Sequence, residues 1–240
     1  ARMRTTAIAR PPTGFIETAR RRLAAMRGRR LLVVGDLMLD RYVYGTVERI
    51  SPEAPVPVVR VARETLMPGG AGNVAVNLRA MGAKTAIAGF LGRDREGREL
   101  ASLLRRRGVR LDPALELRAG PTTVKTRIVA ERQQLVRVDR DAAPDLSARD
   151  RARFCRSAAA AAARADGVIL ADYGKGALSQ PVVDAVLQAA QAAGIPTGLD
   201  PKNPDLRVAG ITVVTPNRKE AFYVAGRSDP GAASDPCADP

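Results

Sequence analysis

RRLLVVGDLMLD, residues 29–40, decides how the rest of the chain reads. Leu31 to Val34 is an uninterrupted apolar run ended by Gly35-Asp36, the pattern of a parallel strand buried on both faces with polar residues at its carboxyl end. Asp36 and Asp40 stand four residues apart around Leu37-Met38-Leu39. If a helix starts here, both carboxylates share one face and can accept hydrogen bonds from sugar hydroxyls; otherwise Asp36 is a helix N-cap and Asp40 a solvated position.

Working outward, the same strand-then-helix pattern repeats. Residues 54–61 alternate loosely around Pro55 and Pro57 and suit an edge or projecting strand. Gly69-Gly70-Ala71-Gly72-Asn73 opens a helix over 74–81 that Gly82 stops, and 85–90 reads as the next strand. Helices are expected over 96–107, 149–165, 180–192 and 217–224, and short buried strands over 168–171, 197–200 and 211–215. Residues 122–139 read as two exposed antiparallel strands about a turn near Ala130-Glu131. Together these predict a doubly wound α/β fold with a mostly parallel sheet, and the 54–61 and 122–139 strands forming a small projecting β lid.

In such a sheet, ligands bind beyond the carboxyl ends of the strands. Asp36, Asp172, Asp200 and Asn217 all stand at strand ends, and their recurrence at one edge points to a shared cleft. GGAGN at 69–73 allows close backbone approach to a hydroxyl or phosphate oxygen, although a tight structural turn accounts for it equally well. Lys125, Arg127, Arg132 and Arg137 fall on the projecting hairpin, where alternation aims some of them at the cleft. DYGKG (172–176) and DPKNP (200–204) each set a lysine, Lys175 and Lys202, two or three residues after a strand-end acid. That repeated acid–lysine pattern suits an anionic substrate or nucleotide phosphates with Mg²⁺ as counter-charge.

Composition removes several classes of function. The 240 residues contain no histidine, which excludes His-dependent triads and deprives a zinc site of common ligands; Cys155 and Cys237 have no metal-ligand spacing. The net charge of +14 hints at a polyanionic partner, but residues 1–30 hold nine Arg and one Glu and so supply +8 of it. The remaining excess follows a bias toward Arg over Lys that runs through the whole chain. No helix-turn-helix or aromatic-interleaved basic strand is present, so no specific nucleic-acid partner is expected. Residues 1–27 read as a basic flank. An Arg-rich targeting sequence there is weakened by Glu17 and Pro11-Pro12, and no apolar stretch approaches membrane-spanning length, so a cytoplasmic location is expected. Residues 227–240, with three prolines after Ser228, read as an irregular tail, and the chain looks cut.

Several of these segments together resemble the ribokinase-like (PfkB) carbohydrate kinases, and within them the bacterial heptose 7-phosphate kinases. GDLMLDRYVYGTVERISPEAPVPVV (35–59) is the most specific match, joined by PGGAGNVAVNL (68–78), TTVKTRIVAERQQLVRVD (122–139), ADYGKGALS (171–179), LDPKNPD (199–205) and TPNRKEA (215–221). The resemblance covers about residues 28–226. It implies ATP- and Mg²⁺-dependent phosphorylation of D-glycero-β-D-manno-heptose 7-phosphate at the anomeric hydroxyl, giving the 1,7-bisphosphate. It also implies a lid that covers the sugar and can mediate a homodimer.

By that resemblance Asp36 and Asp40 match sugar-binding carboxylates, and Gly69, Gly70 and Asn73 match the first sugar-binding signature. Lys125, Arg137, Asp172 and Lys175 are substrate-side candidates, and Lys202 a nucleotide-side one. Asn217 and Glu220 match the NxxE element near Mg²⁺ and the phosphates. The family's GAGD signature, whose aspartate deprotonates the attacking hydroxyl, is not found in these 240 residues. No catalytic residue is therefore assigned, the C-terminal part of the domain is expected to be missing by roughly 80 residues on typical α/β size, and little or no turnover is expected of this chain alone. Alternatives are another PfkB sugar or nucleoside kinase, and a non-catalytic sugar-binding remnant.

Overall fold

A computed structural model describes residues 14–112, 120–141, 146–203, 205–225 and 227; the flank before Gly14 and the tail after Arg227 lie outside the described residues, as does Cys237. The chain runs α1 (Phe15–Met26), β1 (Arg30–Gly35), β2 (Leu37–Ile50), β3 (Pro57–Gly70), α2 (Ala71–Ala80), β4 (Lys84–Ala88), α3 (Arg95–Arg106) and β5 (Arg110–Leu111). It continues through β6 (Thr123–Ala130), β7 (Gln133–Arg140), α4 (Ala148–Ala162), β8 (Gly167–Ala171), α5 (Gln180–Ala192), β9 (Thr197–Asp200), β10 (Val213–Val214) and α6 (Arg218–Val224).

β1 is central, as its apolar run requires. The main sheet has the order β10-β9-β8-β1-β4-β5, and all its pairings are parallel. Consecutive residues Val33 and Val34 point to opposite faces, yet both are 0% exposed, so both faces of β1 are covered. Each such side chain contributes about 1.5–3 kcal/mol by burial. α2 lies against β1 and β4, while α4 and α5 pack on each other, and Phe154 of α4 is buried against Phe90. Strands are added on both sides of β1, so β1 and β8 flank the point where the winding reverses.

Two sequence expectations change here, and one strand is new. The segment after Asp36 is the 14-residue strand β2, with no helix. Tyr42, Val43, Tyr44 and Val47 favour that state, because β-branched and aromatic side chains fit a pleated surface. The lid is accordingly larger than 54–61 and 122–139 suggest: it is a four-stranded sheet ordered β3-β2-β6-β7. β3, which starts at Pro57, is an edge strand as expected, but β6 is interior and pairs in parallel with β2. Finally, β5 has only two residues, Arg110 and Leu111, too few for a periodic signal.

Candidate active site

Asp36 leaves the carboxyl end of β1 and is 2% exposed. Its Oδ2 accepts from the backbone N–H groups of Tyr173 (2.8 Å) and Lys175 (3.0 Å), and its Oδ1 from that of Ala177 (2.8 Å). Burial pushes this carboxyl above the usual carboxylate range, against the opposing pull of the three amides. The Asp36 carbonyl also accepts from Ala71 N at the start of α2 (2.9 Å). Asp36 therefore ties three segments together at the carboxyl end of β1. It positions the site.

Asp172 repeats this device at the end of β8. It is 4% exposed, with Oδ1 accepting from Gly174 N (2.9 Å) and Oδ2 from Lys202 N (3.0 Å) and Asn203 N. The acid–lysine pattern thus resolves differently from its sequence reading. Asp172 fastens the loop after β9, and neither lysine pairs with the acid of its own motif. Lys175 Nζ reaches Asp141 (2.7 Å), and Lys202 Nζ lies 3.9 Å from Glu220. Between the two loops, Tyr173 and Asp200 both line the space that opens at the strand ends. Burial and the nearby Glu220 charge push the Asp200 carboxyl up.

The lid supplies the opposite wall. Asp40 accepts from Arg127 Nη1 at 2.6 Å, and that bond holds the guanidinium even more firmly protonated than usual. Gly69 stands opposite Met38 in the β2–β3 ladder, and an added Cβ there would lie 2.5 Å from Asp40 Oδ2. The next residue, Gly70, has φ 55° and ψ −133°, a conformation for which only glycine is suited. On the neighbouring strands Lys125 Nζ (3.0 Å) and Arg137 Nε (2.9 Å) both engage Asp139, and these cations hold its carboxyl below the usual range.

Between lid and strand ends opens a cleft of about 680 Å³. Of the expected residues, Lys125, Arg137, Asp172, Lys175, Lys202, Asn217 and Glu220 line it. Asp40 and Gly69 flank lining residue Met38 on the lid, and Gly70 packs by Tyr173. Asn73 sits exposed on the first turn of α2, outside the cleft lining. Sequence reasoning missed Asp139, Asp141 and Tyr173, which also line the cleft.

Asn217 and Glu220 form a reciprocal cap at the start of α6. Glu220 accepts from Asn217 N (2.7 Å) and from its side-chain amide, while Asn217 Oδ1 accepts from Glu220 N (3.0 Å). Among the described residues no cluster of three or more potential ligands could cage a metal ion. Asp200 and Glu220 nonetheless suit a hard divalent cation reached through water and phosphate oxygens, since both are carboxylates lining the cleft beside Lys202.

A family model described as pfkB family carbohydrate kinase matches residues 29–236. The bifunctional protein HldE of Paramagnetospirillum magneticum is 45% identical over 209 residues, covering 86% of this chain and 43% of that protein. HldE of Caulobacter vibrioides is also 45% identical, over 84% of this chain and 41% of its own length. The chain thus spans about two fifths of the length of these curated relatives. Among solved structures, a tetrameric inhibited form of Escherichia coli phosphofructokinase-2 superposes with a TM-score of 0.64 at 18% identity, over 86% of this chain and 67% of that one. Arabidopsis thaliana ribokinase with ribose and ATP gives a TM-score of 0.55 at 21% identity, over 83% and 63%. A parallel sheet wound about β1, a projecting lid, and a cleft where the two meet agree with these likenesses, and the chain belongs to the pfkB family of carbohydrate kinases.

Proposed function

We propose that this chain forms the sugar-holding part of an ATP-dependent kinase that phosphorylates D-glycero-β-D-manno-heptose 7-phosphate at its anomeric hydroxyl. The observation that carries the proposal is the meeting of two chemistries at the cleft: an Arg127-held carboxylate, Asp40, paired in register with lining residue Lys125 at its edge, and a cationic group of Lys125, Arg137 and Lys175 within it. Asp40 is an acceptor suited to sugar hydroxyls, and the cations suit the phosphate that the sugar already carries. Each of those cations rests on an acid, Asp139 or Asp141, so an arriving phosphate would compete with these carboxylates for the same cationic groups. The RISPEAPVPV run at 49–58 supports the heptose over other sugars through the resemblance of that segment.

Lys202, near Glu220, is the proposed nucleotide-side cation. ATP supplies the phosphoryl group, and Mg²⁺ screens the charge that would repel an attacking hydroxyl. Asp36 and Asp172 act at one remove, by fixing the loops that carry Lys175 and Lys202. The family's deprotonating GAGD aspartate is not in these 240 residues, so the proposed outcome for this chain alone is sugar-phosphate binding without turnover.

Calorimetry with heptose 7-phosphate, fructose 6-phosphate and ribose 5-phosphate, each with and without ATP, tests this reading. Preferential binding of the heptose supports it. Equal or better binding of another sugar phosphate moves the assignment elsewhere in the family. ATP-dependent formation of bisphosphate by the purified chain would refute the part given to the missing aspartate.

A further inference from the structure

The amino-terminal edge of the main sheet, at the far end of the strands from the cleft, holds a second cavity of about 370 Å³. Arg30, Arg79, Lys84, Arg110 and Arg164 surround it. Its floor is apolar, made by Leu31 and Ala86 of the sheet and Ala165 after α4. Thr85, 3% exposed, also lines it, and its hydroxyl has no hydrogen-bond partner in the structure.

Arg is abundant in this chain, so basic residues alone mean little. The pairing pattern separates the two cavities. In the cleft, Lys125, Arg137, Lys175 and Lys202 all stand beside acids. Here, among the described residues, only Arg30 has an acid, Asp166 at 2.8 Å, and Arg79, Lys84, Arg110 and Arg164 make no ion pair. The helices α2, α3 and α4 end beside the cavity, and each carbonyl end carries about half a negative charge. Three such ends offset roughly 1.5 charges of a net +4 (five cations less Asp166), which leaves a marked positive excess. The volume lies within the range of small-ligand sites, and an apolar floor under a cationic rim suits a two-part ligand.

We propose that this cavity is a second ligand site, which takes a small molecule of nucleotide size carrying phosphate on an apolar or aromatic body. The phosphate sits among Lys84, Arg110 and Arg164, and the body covers Leu31 and Ala165. The proposal is independent of which sugar the cleft takes.

Amide NMR of the full chain, titrated with ADP and with inorganic pyrophosphate, tests it. The expected result is saturable movement of the Ala86, Gly108 and Ala165 amides by ADP, with half-saturation at about 1 mM or below. Pyrophosphate should act more weakly because it leaves the floor uncovered. Lys84→Glu with Arg110→Glu, both on exposed side chains, should weaken that response at least tenfold while the Lys202 amide in the cleft still reports any ADP bound there. Three results would overturn the site: no movement at those amides, equal movement with NaCl at matched ionic strength, or a response that survives the double substitution.

Discussion

Two buried carboxylates, Asp36 and Asp172, carry the geometry of the candidate site through the backbone groups they bind. Each accepts three backbone N–H groups, and together they fasten the loops after β1, β8 and β9 to one another. Strand-end position made both visible in the sequence. It did not reveal what they bond, because the donors lie 30 to 141 residues away in the chain for all but Gly174. Gly69 gives a sharper test of the sugar-facing wall. Gly69→Ala places a methyl against Asp40 and should break the Asp40–Arg127 pair, lowering sugar-phosphate affinity at least tenfold, or about 1.4 kcal/mol, by calorimetry. Unchanged affinity would remove Asp40 from the site.

Asp166 offers a pH test at the same scale. Its bonds to the Arg30 side chain and amide lower its carboxyl to about 2. A folded value below the unfolded one means that the stabilisation is present above about pH 4 and is lost as pH falls through about 2. Carboxyl NMR should find the midpoint near 2, moving up toward the ordinary aspartate value in Arg30→Ala.

At the scale of the element, the β6–β7 hairpin shows how far local rules reach. Its turn residues Glu131 and Arg132 have φ of 50° and 73°, both left-handed, which is the two-residue geometry that Asn-Gly prefers. Replacing them with Asn-Gly should stabilise the fold by about 1 kcal/mol and raise Tm by roughly 2–4 °C in a calorimetric scan. The turn was legible from sequence to within a residue; the register was not. From Ala130↔Gln133, regular counting sets Lys125 opposite Val138, but an irregularity at Ile128/Val129 shifts the ladder and brings Lys125 to Asp139 and Arg127 to Arg137. That shift assembles the cationic wall of the cleft. β2 was missed for a related reason: Asp36 and Asp40 are four apart, a spacing that a helix and a strand both place on one face.

At the scale of the molecule, the lid turns a broad sheet face toward solvent. Val136 and Val138 of β7 are 46% and 54% exposed, and β7 is an edge strand with unpaired backbone groups along one side. The homodimer implied by the family resemblance is expected to form through this lid. Sedimentation should then show a dimer that Val136→Lys with Val138→Lys dissociates; a monomer before substitution would end that reading. Among the described residues no helix is long and apolar enough to cross a membrane.

The sequence by itself determined the layered α/β fold, the strands that carry it and the motifs that mark the family. Those depend on apolar runs and helix breakers a few residues apart, and both are local. Only the tertiary structure decided which polar groups line the cleft and what each of them is bonded to. Asp36 and Asp172 became fasteners of the strand-end loops, Asp40 paired with Arg127 on the lid, and among the described residues four cations at the opposite sheet edge were left without acids. Whether a charge is partnered depends on neighbours brought in by winding and register, and a linear pattern of residue types does not contain those neighbours.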